Sequence, residues 1–358
     1  QDPGRMTATS PDHGTGPLGR RGSHRLCVAP MMDWTDRHCR SFHRLFGPEI
    51  VLYTEMVTAK ALIHGDAAAL LAYGEDEHPI ALQLGGSEPD ELARAARLGA
   101  DAGYDEINLN VGCPSDRVAS GSFGACLMAE PERVADCVAA MRAEVSIPVT
   151  VKCRLGIETR TGDEPLQLDS DAHLTRFVDT VAAAGCSLFL VHARKAILGG
   201  LSPKENREIP PLQHHRIHEL AARRPGLEIV LNGGLAAGSD WPGQLERVEG
   251  LMIGRAAYQQ PMVLAEARRA LFGTDPEPEP LEILEAFLPR VRERLEAGVP
   301  LSRISRHLLG ILHGRPGARA FRRHLSEQAP RRDAGIEVLE AAIELARQAA
   351  RRLRADAA

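Results

Sequence analysis

The sequence predicts a (β/α)8 TIM barrel followed by a small all-α helical bundle domain. Eight short apolar runs, each of a length typical of a buried parallel strand, recur between residues 26 and 253. Stretches with apolar residues spaced by three and four separate most of these runs, as expected for helices. Beyond residue 280 only the helical spacing continues. A doubly wound parallel sheet is the alternative fold for the first part of the chain.

The order of the predicted elements favours the barrel. The predicted strands are Leu26–Ala29, Ile50–Tyr53, Ile80–Leu84, Ile107–Val111, Val149–Cys153, Leu188–Val191, Ile229–Leu231 and Leu251–Ile253. The predicted helices between them are Asp90–Ala102, Glu132–Glu144, Asp171–Ala184, His214–Arg223 and Gln259–Phe272. Flexible and reactive residues follow most of the strands, among them Met32, Cys113, His192 and Gly233. Barrel active sites lie at the carboxyl ends of the strands, so this grouping supports a barrel enzyme.

Composition divides the chain into four predicted segments. We expect residues 1–23, rich in Gly, Pro, Ser and Thr, to be a disordered tail that contributes no core. Residues 24–273 are expected to form the barrel. Residues 274–280, which include Asp275-Pro-Glu-Pro-Glu-Pro280, are expected to be a linker because this stretch has no apolar face. Residues 281–358 repeat apolar residues at helical spacing and are predicted to form the helical domain.

Charge is distributed unevenly between these segments. Residues 301–358 hold 12 Arg and 6 Asp or Glu, a net charge of +6. The whole chain carries −5, which leaves −11 for residues 1–300. A basic module is therefore attached to an acidic one, and this favours a polyanionic partner for the carboxyl-terminal part.

The sequence disfavours a membrane protein, a secreted protein and a metal enzyme. No apolar run approaches the roughly 18 residues needed to span a bilayer, and no signal-peptide pattern is present, so we expect a cytoplasmic protein. The seven cysteines, an odd number without a C-x-x-C pair, are expected to be reduced thiols. His214, His215 and His218 lack a carboxylate at ligand spacing, so we expect them to be surface residues and predict no metal site.

Cys113 stands at the end of a strand with a clear inner and outer face. The segment Ile107–Val111 alternates apolar residues with two asparagines, the period of a strand. Gly112 lets the backbone approach a ligand closely, and Pro114 biases Cys113 toward an extended conformation. The thiol is therefore expected to be held in one direction. The alternative is a buried and inert cysteine.

The turns after the seventh and eighth predicted strands are the usual phosphate site of a barrel. Gly233 and Gly234 follow the seventh strand, and Gly254 and Arg255 follow the eighth. Glycine exposes backbone N–H groups and arginine adds a fork of donors, both of which suit a phosphate. The alternative is a pair of ordinary turns with a surface arginine.

Other polar residues are expected to point into the same barrel mouth. Lys152 ends the fifth predicted strand beside Arg154, and it could be a Schiff-base nucleophile, a fixed charge beside an anionic cofactor, or part of a structural ion pair. Gln83 and Asn110 offer amides that could hydrogen-bond a heterocycle, although buried amides also commonly satisfy the backbone. His192 ends the sixth predicted strand, with a core histidine as its alternative interpretation.

Together these motifs resemble the dihydrouridine synthases, flavin enzymes that reduce uridine in transfer RNA. The resemblance covers about residues 25 to 354. It rests on Ala29-Pro-Met-Met-Asp-Trp-Thr-Asp36, Gln83-Leu-Gly85, Asn108-Leu-Asn-Val-Gly-Cys-Pro114, Val151-Lys-Cys-Arg154, His192-Ala-Arg194, Asn232-Gly-Gly234 and Gly254-Arg255. Two further stretches are similar to the A-type bacterial branch, which acts on D-loop positions 20 and 20a: Ala193–Leu212, which contains Gly200–Pro211, and Gly317–Arg322.

The resemblance implies FMN as cofactor, NADPH as reductant and tRNA as partner. It implies that FMN is held by Pro30, Met31, Met32, Gln83, Lys152, His192, Asn232, Gly233, Gly234, Gly254 and Arg255. Contacts with tRNA are expected from Asn110, Lys204, Arg207, Arg319 and Arg322.

We therefore predict that the protein reduces uridine to 5,6-dihydrouridine. Hydride is expected to pass from N5 of reduced FMN to C6 of an extruded uracil, while Cys113 donates a proton to C5. A cysteine thiol is largely protonated at neutral pH, so it can serve as the acid.

Three alternatives remain open at this stage. The first is a flavin barrel enzyme acting on a free pyrimidine or another small enone, with a helical module used only for oligomerisation. The second is a barrel aldolase with Lys152 as Schiff-base nucleophile, and the third is a protein that only binds RNA. The arginine-rich end argues against the first, and a yellow protein that releases FMN would remove the other two. We expect a monomer.

Overall fold

The apolar runs form a barrel of eight parallel strands in the computed structural model, which describes residues 14–115, 123–159 and 166–356. The barrel strands are β1 (Leu26–Val28), β2 (Leu52–Tyr53), β4 (Ile80–Gly85), β5 (Glu106–Val111), β6 (Val149–Arg154), β9 (Leu188–His192), β11 (Glu228–Asn232) and β12 (Gly250–Ile253). Four accessory strands complete the numbering: β3 (Val57–Thr58), β7 (Ile157–Thr159), β8 (Gln167–Leu168) and β10 (Ala196–Leu198).

The strand order shows that the sheet curves round on itself. Neighbouring barrel strands run β1-β12-β11-β9-β6-β5-β4-β2, and every pair is parallel. A parallel bridge between Cys27 and Val51 joins the two ends and closes the barrel. The prediction of a (β/α)8 barrel is therefore confirmed over the alternative of an open, doubly wound sheet.

Helices surround the barrel and follow it along the chain. Those of the barrel are α1 (Arg37–His43), α2 (Ala59–His64), α3 (Ala67–Leu70), α4 (Pro89–Asp101), α5 (Pro131–Glu144), α6 (Asp171–Ala183), α7 (His214–Arg223), α8 (Trp241–Leu245), α9 (Arg255–Gln259) and α10 (Met262–Phe272). The carboxyl-terminal helices are α11 (Pro280–Glu296), α12 (Leu301–Ser305), α13 (Ala318–Gln328) and α14 (Ile336–Asp356). Among the described residues, no helix combines the length and apolarity needed to cross a bilayer.

Local signals explain most helix ends. Pro89 and Pro131 occupy the first turns of α4 and α5, where a missing N–H costs nothing. The Ser170 side chain accepts a hydrogen bond from the His173 N–H and caps α6. The helix predicted to begin at Gln259 begins at Met262 instead, because the separate short helix α9 ends at Gln259.

Alternation along β5 separates the two faces of the barrel wall. Ile107, Leu109 and Val111 are fully buried in the apolar layer between strands and helices. Glu106 lies on the opposite face, where its carboxylate accepts a hydrogen bond from the Tyr53 hydroxyl inside the barrel. Period-two alternation thus puts the polar residues of this strand in the barrel interior.

Residues 14–23 depart from the expectation of a tail without core. Leu18 is only 3 % exposed and joins Tyr53, Val230 and Met252 in the apolar cluster inside the barrel. The Gly22 N–H donates to the Glu228 carboxylate at 2.7 Å and ties this segment down. That expectation is wrong for Leu18. It rests on the composition of the whole segment, which is rich in Gly, whereas the single apolar side chain of Leu18 packs at the floor of the barrel. Residues 1–13 lie outside the described residues.

The carboxyl-terminal helices pack against the barrel beside α1. The rings of Phe287 and Phe42 lie 5.4 Å apart, and Arg290 pairs with Asp76 at 2.5 Å. The α11 helix begins at Pro280, the last residue of the predicted linker, and its first turn is closed by the Glu279 N–H, which donates to the Glu282 carboxylate. The exact domain boundaries stay predictions.

Candidate functional site

Four hydrogen bonds fix the backbone around Cys113 at the end of β5. The Asn110 side-chain oxygen accepts from the N–H of Cys113 at 2.6 Å and of Gly112 at 3.1 Å. The Arg154 guanidinium donates to the Gly112 carbonyl at 2.7 Å, and the Cys113 carbonyl accepts from the Ala125 N–H at 2.9 Å. Cys113 is partly exposed, whereas five of the other six cysteines are buried. The backbone of Gly112 and Cys113 is therefore held by its neighbours where it presents a reactive group.

Positively charged side chains crowd this mouth of the barrel. Burial, and next the charge of Arg154, lower the pKa of Lys152 to about 8. Burial also lowers the pKa of Arg154 to about 10, and it lowers the pKa of Arg207, with Arg255 as the next cause. Within the described part of the chain, no hydrogen bond or ion pair involves the Lys152 ammonium. An anion bound here would relieve the mutual repulsion of these charges.

His192 is a neutral imidazole in this cationic surrounding. Burial is the main reason that the pKa of His192 lies well below its usual value, and the charges of Arg154 and Lys152 act in the same direction. A neutral ring has one donor and one acceptor nitrogen. His192 can therefore hydrogen-bond an uncharged or anionic group without adding to the positive charge.

The amides of Gln83 and Asn110 are joined to each other, yet both keep a free hydrogen. The Asn110 nitrogen donates to the Gln83 oxygen at 2.8 Å, and the Gln83 nitrogen donates to Asn108 at 2.8 Å. Each amide nitrogen carries two hydrogens and one is used in each case. The remaining N–H of each can donate to a carbonyl or ring nitrogen of a bound heterocycle.

The turn after β11 fits closely around neighbouring side chains. Gly233 has a φ of +108°, and a Cβ there would lie 2.6 Å from the His192 ring. Gly234 has a φ of +74°. The His214 ring nitrogen lies 2.8 Å from the Gly233 carbonyl and supports the turn from below. His214, expected to be a surface residue, is partly exposed and in addition contacts this turn, because α7 begins directly beside it.

The neighbouring strand β12 leads into an open turn. Asn232 ties the two strands together, since its amide nitrogen donates to the Met252 carbonyl at 2.9 Å. A Cβ at Gly254 would meet no atom within 4 Å, so there is space above this turn. Arg255 begins the helix that follows, and its guanidinium pairs with Glu208 at 2.7 Å. The predicted phosphate ligand is thus engaged by a protein carboxylate.

The loop after β9 is folded over the mouth and linked to the other loops. Strand β10 pairs with β7, so the loops after β6 and β9 form one small sheet. Arg154 donates to the carbonyls of Lys195 at 3.2 Å and Asn206 at 3.0 Å. Asn206 is fully buried and exchanges hydrogen bonds with the backbone of Ile197. Lys204 on this loop is exposed.

The loop after β1 is held by the carboxyl-terminal helices. Met31 N–H donates to the Thr35 hydroxyl at 2.9 Å, and Met32 is 57 % exposed. Asp33 adopts a positive φ of 64°, a conformation that Asp tolerates better than most residues. Its carbonyl accepts a hydrogen bond from Arg306. The segment Pro30–Met32 is therefore positioned partly by the helical region.

The arginines of α13 point away from its packed side. Phe321 and Leu325 are buried and anchor the helix, whereas Arg319, Arg322 and Arg323 are exposed. Within the described residues, no hydrogen bond or ion pair engages Arg319 or Arg322. Their side chains are free to meet a partner.

Sequence reasoning missed the organising roles of Arg154 and Asn206. The position of Arg154 offered a signal, because it lies two residues beyond Lys152 and therefore on the same strand face. Asn206 offered none, since its partners are decided by the path of the loop. No group of three or more His, Cys, Asp or Glu in the described ranges is arranged to hold a metal.

Comparisons with known proteins agree with this geometry. The model of the dihydrouridine synthase family matches residues 27–347. A tRNA-dihydrouridine(20/20a) synthase of Xanthomonas campestris pv. campestris is 52 % identical over 339 residues, which is 95 % of this chain and 98 % of that protein. Proteins of the same name from Vibrio cholerae and Xanthomonas axonopodis pv. citri are 52 % and 54 % identical, and each alignment covers 90 % of this chain and at least 94 % of the relative.

Proposed function

The chain belongs to the dihydrouridine synthase family, and on that premise we propose that it reduces uridine to 5,6-dihydrouridine in the D-loop of tRNA, at positions 20 and 20a. The name shared by relatives that match nearly the whole chain supports this substrate. The observation that carries the chemistry is Cys113, a partly exposed thiol on a clamped loop in a cationic barrel mouth.

The residues of the mouth fit FMN. The free N–H groups of Gln83 and Asn110 suit the polar edge of a flavin, and the Lys152 ammonium suits its negative charge when reduced. The open turn at Gly254 and the glycine turn after β11 leave room for backbone N–H groups to meet a phosphate. Bound FMN, with NADPH as its reductant, supplies the hydride for C6 of the uracil.

Further contacts with FMN are proposed on both sides of this mouth. Pro30, Met31, Met32, His192 and Asn232 would hold FMN together with the turn formed by Gly233 and Gly234. Arg255 would hold the phosphate after its guanidinium separates from the Glu208 carboxylate.

Cys113 would complete the reaction by donating its thiol proton to C5 of the uracil. The fixed backbone keeps this donor in one direction, and Lys152 and Arg154 lie close enough to Cys113 to interact with it electrostatically. A positioned general acid contributes about 10² to 10⁴ in rate. The proton then returns to the thiolate from water.

Transfer RNA would lie across the barrel mouth and the helical region. The target uracil must leave the folded D-loop to reach Cys113, at a cost of a few kcal/mol. Contacts with phosphates from Lys204 and Arg207 on the loop after β9, and from Arg319 and Arg322 on α13, would offset that cost. We further propose that the protein is a cytoplasmic monomer, in the compartment where tRNA is modified.

The test is a reaction of the purified, FMN-loaded protein with NADPH and an unmodified tRNA transcript. We expect dihydrouridine at positions 20 and 20a, mapped by primer extension after borohydride cleavage. A transcript with cytidine at both positions is the matched control and should stay unmodified. Absence of dihydrouridine in the first transcript would overturn the proposal. Equally fast reduction of free uridine would favour the alternative enzyme acting on small pyrimidines.

A further inference from the structure

A chain of side-chain hydrogen bonds runs down the inside of the barrel from the Cys113 loop. The N–H groups of Gly112 and Cys113 can only donate, so the Asn110 atom facing them is its carbonyl oxygen. The Asn110 amide nitrogen is thereby turned toward the Gln83 oxygen, 2.8 Å away. Gln83 in turn donates from its nitrogen to the Asn108 oxygen at 2.8 Å. The top of the chain therefore fixes the orientation of all three amides.

The chain continues from Asn108 to the floor of the barrel. The Asn108 nitrogen donates to the Thr150 hydroxyl at 2.8 Å, and that hydroxyl donates to Glu106 at 2.5 Å. The Tyr53 hydroxyl donates to the same carboxylate oxygen at 3.0 Å, and the His24 ring contacts the other oxygen. Glu106 is fully buried. Three side chains thus converge on a carboxylate, a group that can only accept.

The groups at the two ends of this hydrogen-bond chain require the same donor-to-acceptor direction in every hydrogen bond between them. Backbone donors at the top require acceptors to face upward, and a carboxylate at the bottom requires donors to face downward. If one link is lost, an amide can rotate by 180° and present its NH₂ group to the donors above it. The N–H groups of Gly112 and Cys113 would then lose their acceptor, and the loop that carries the thiol would lose its fixed position.

The packing of the barrel does not require these polar groups. Barrel interiors are filled mainly by branched apolar side chains, and buried polar groups are tolerated only when they are hydrogen-bonded. In β5, however, the interior positions are Glu106, Asn108 and Asn110, while the neighbouring cluster around Tyr53 and Leu190 is apolar. The interior residues of this strand are therefore all polar, and all three belong to the path that ends at Cys113.

We propose that Glu106, Thr150 and Asn108 are positioning residues. They hold Cys113 in place through this chain of hydrogen bonds, in which each donor and each acceptor is fixed. The proposal rests on the proposed function in taking Cys113 as the proton donor. It goes beyond that function because these three residues lie in the barrel interior below the mouth and act only through Gln83 and Asn110.

The central test is the change Thr150→Val, which keeps the side-chain shape and removes the hydroxyl. We expect kcat for uridine reduction to fall about 10- to 100-fold, the usual effect of a misplacement near 1 Å, while KM for tRNA and the FMN content stay unchanged. Thr150→Ser retains the hydroxyl and should recover most of kcat. Ile107→Val on the outer face of the same strand is the matched control, since it lowers stability without touching the chain.

A second measurement follows the thiol itself and needs no uridine reduction. In a Cys126→Ala background, in which Cys113 is the one remaining cysteine that is not buried, the rate of Cys113 alkylation by iodoacetamide is measured on the FMN-loaded protein. Thr150→Val should raise this rate several-fold by releasing the loop, whereas Thr150→Ser and Ile107→Val should leave it near that of the background protein.

The outcomes separate the two proposals. Unchanged kcat and unchanged alkylation in Thr150→Val would overturn the positioning role, as would a Thr150→Ser protein that is as impaired as Thr150→Val. If Thr150→Val lost only stability, by the same amount as Ile107→Val, the hydrogen-bond chain would have a structural role and no positioning role. If the unaltered protein makes no dihydrouridine, the proposed function fails, while the alkylation rates still report whether the chain holds Cys113.

Discussion

Arg255 and Glu208 form an ion pair at the barrel mouth, with Nη1 and Oε1 2.7 Å apart. The pair joins the start of α9 to the loop after β9, and both side chains are partly exposed, 37 % and 46 %. If Arg255 holds the FMN phosphate, the phosphate and Glu208 must compete for one guanidinium. Substitutions of Arg255 and Glu208 should therefore change the affinity for FMN in opposite directions.

Arg255→Ala should weaken FMN binding and Glu208→Gln should strengthen it. A charge-assisted hydrogen bond is worth about 1.5 to 3 kcal/mol, so we expect a loss of about 10- to 100-fold for the arginine variant. An exposed ion pair is worth about 0.2 to 1 kcal/mol, so the gain for the glutamine variant should not exceed about fivefold. Fluorescence titration of flavin-free protein measures both. Arg224→Ala, which breaks a similar pair with Asp179, is the control; equal FMN affinity in all three would remove Arg255 from the phosphate site.

Gly233→Ala should release FMN and disturb His192. The new Cβ would lie 2.6 Å from the His192 ring, in a turn whose φ of +108° already disfavours alanine. Gly238→Ala is the matched control, because Gly238 also has a positive φ of +78° but a Cβ there would meet no atom within 4 Å. Both variants should lose stability by about 1 kcal/mol or more, and only Gly233→Ala should lose flavin on gel filtration. Full flavin retention in Gly233→Ala would contradict the proposed contact.

Cys113→Ala should lose about 10² to 10⁴ in uridine reduction while binding FMN and consuming NADPH normally. The reason is that the proton donor is removed and the cationic mouth is left intact. Cys126→Ala is the control, since Cys126 is also partly exposed but its thiol donates to the Phe123 carbonyl at 3.0 Å. Single-turnover oxidation of the reduced flavin by tRNA measures the step directly, and a native rate in Cys113→Ala would exclude the donor role.

Lys152→Met should stabilise the flavin-free protein at pH 7 and weaken FMN binding. Burial and Arg154 lower the pKa of Lys152 to about 8 in the folded chain, against 10.5 for an ordinary lysine. The unfolded chain therefore binds more protons between pH 8 and 10.5, so stability of the unaltered protein should recover as pH rises through that window. The melting temperature of both proteins, measured from pH 7 to 10.5, should differ most at pH 7. Lys60→Met, at a lysine that is 70 % exposed, should show no such convergence.

The double change Arg319→Ala with Arg322→Ala should weaken tRNA binding and flatten its salt dependence. Each phosphate contact that is lost should reduce the slope of log K against log salt by somewhat under one unit. FMN content and NADPH oxidation should stay unchanged. Arg97→Ala with Arg176→Ala removes the same charge from exposed positions on barrel helices and is the control. Filter binding at two salt concentrations decides the matter, since equal slopes in the two double variants would assign α13 a structural role.

Much of the fold could be predicted from the sequence because barrel strands and helices are local signals. The alternation from Ile107 to Val111 shows which side chains face the helices, and the helix predicted over His214–Arg223 is the helix observed. Proline at the start of α4 and α5 and serine before α6 mark helix ends within a few residues. Each of these patterns depends on the backbone period or on a cap, and neither needs a distant partner.

The order of the predicted elements also identifies the residues that could carry chemistry. Cys113, Lys152 and His192 are candidates because barrel sites lie at the carboxyl ends of strands. The family resemblance added the expected cofactor and substrate. The position of a residue at the end of a strand is visible from the order of residues along the chain.

Which of these residues touch, and in which charge state, depends on the folded chain. It paired Arg255 with Glu208, placed Leu18 inside the barrel, and set His214 under the Gly233 turn. It also joined Glu106 to the Cys113 loop through a chain of hydrogen bonds across three strands. Such contacts join residues far apart in sequence, and closure of the barrel brings them together. Charge state follows the same rule, because the desolvation that lowers the pKa of Lys152 arises from atoms that distant segments supply.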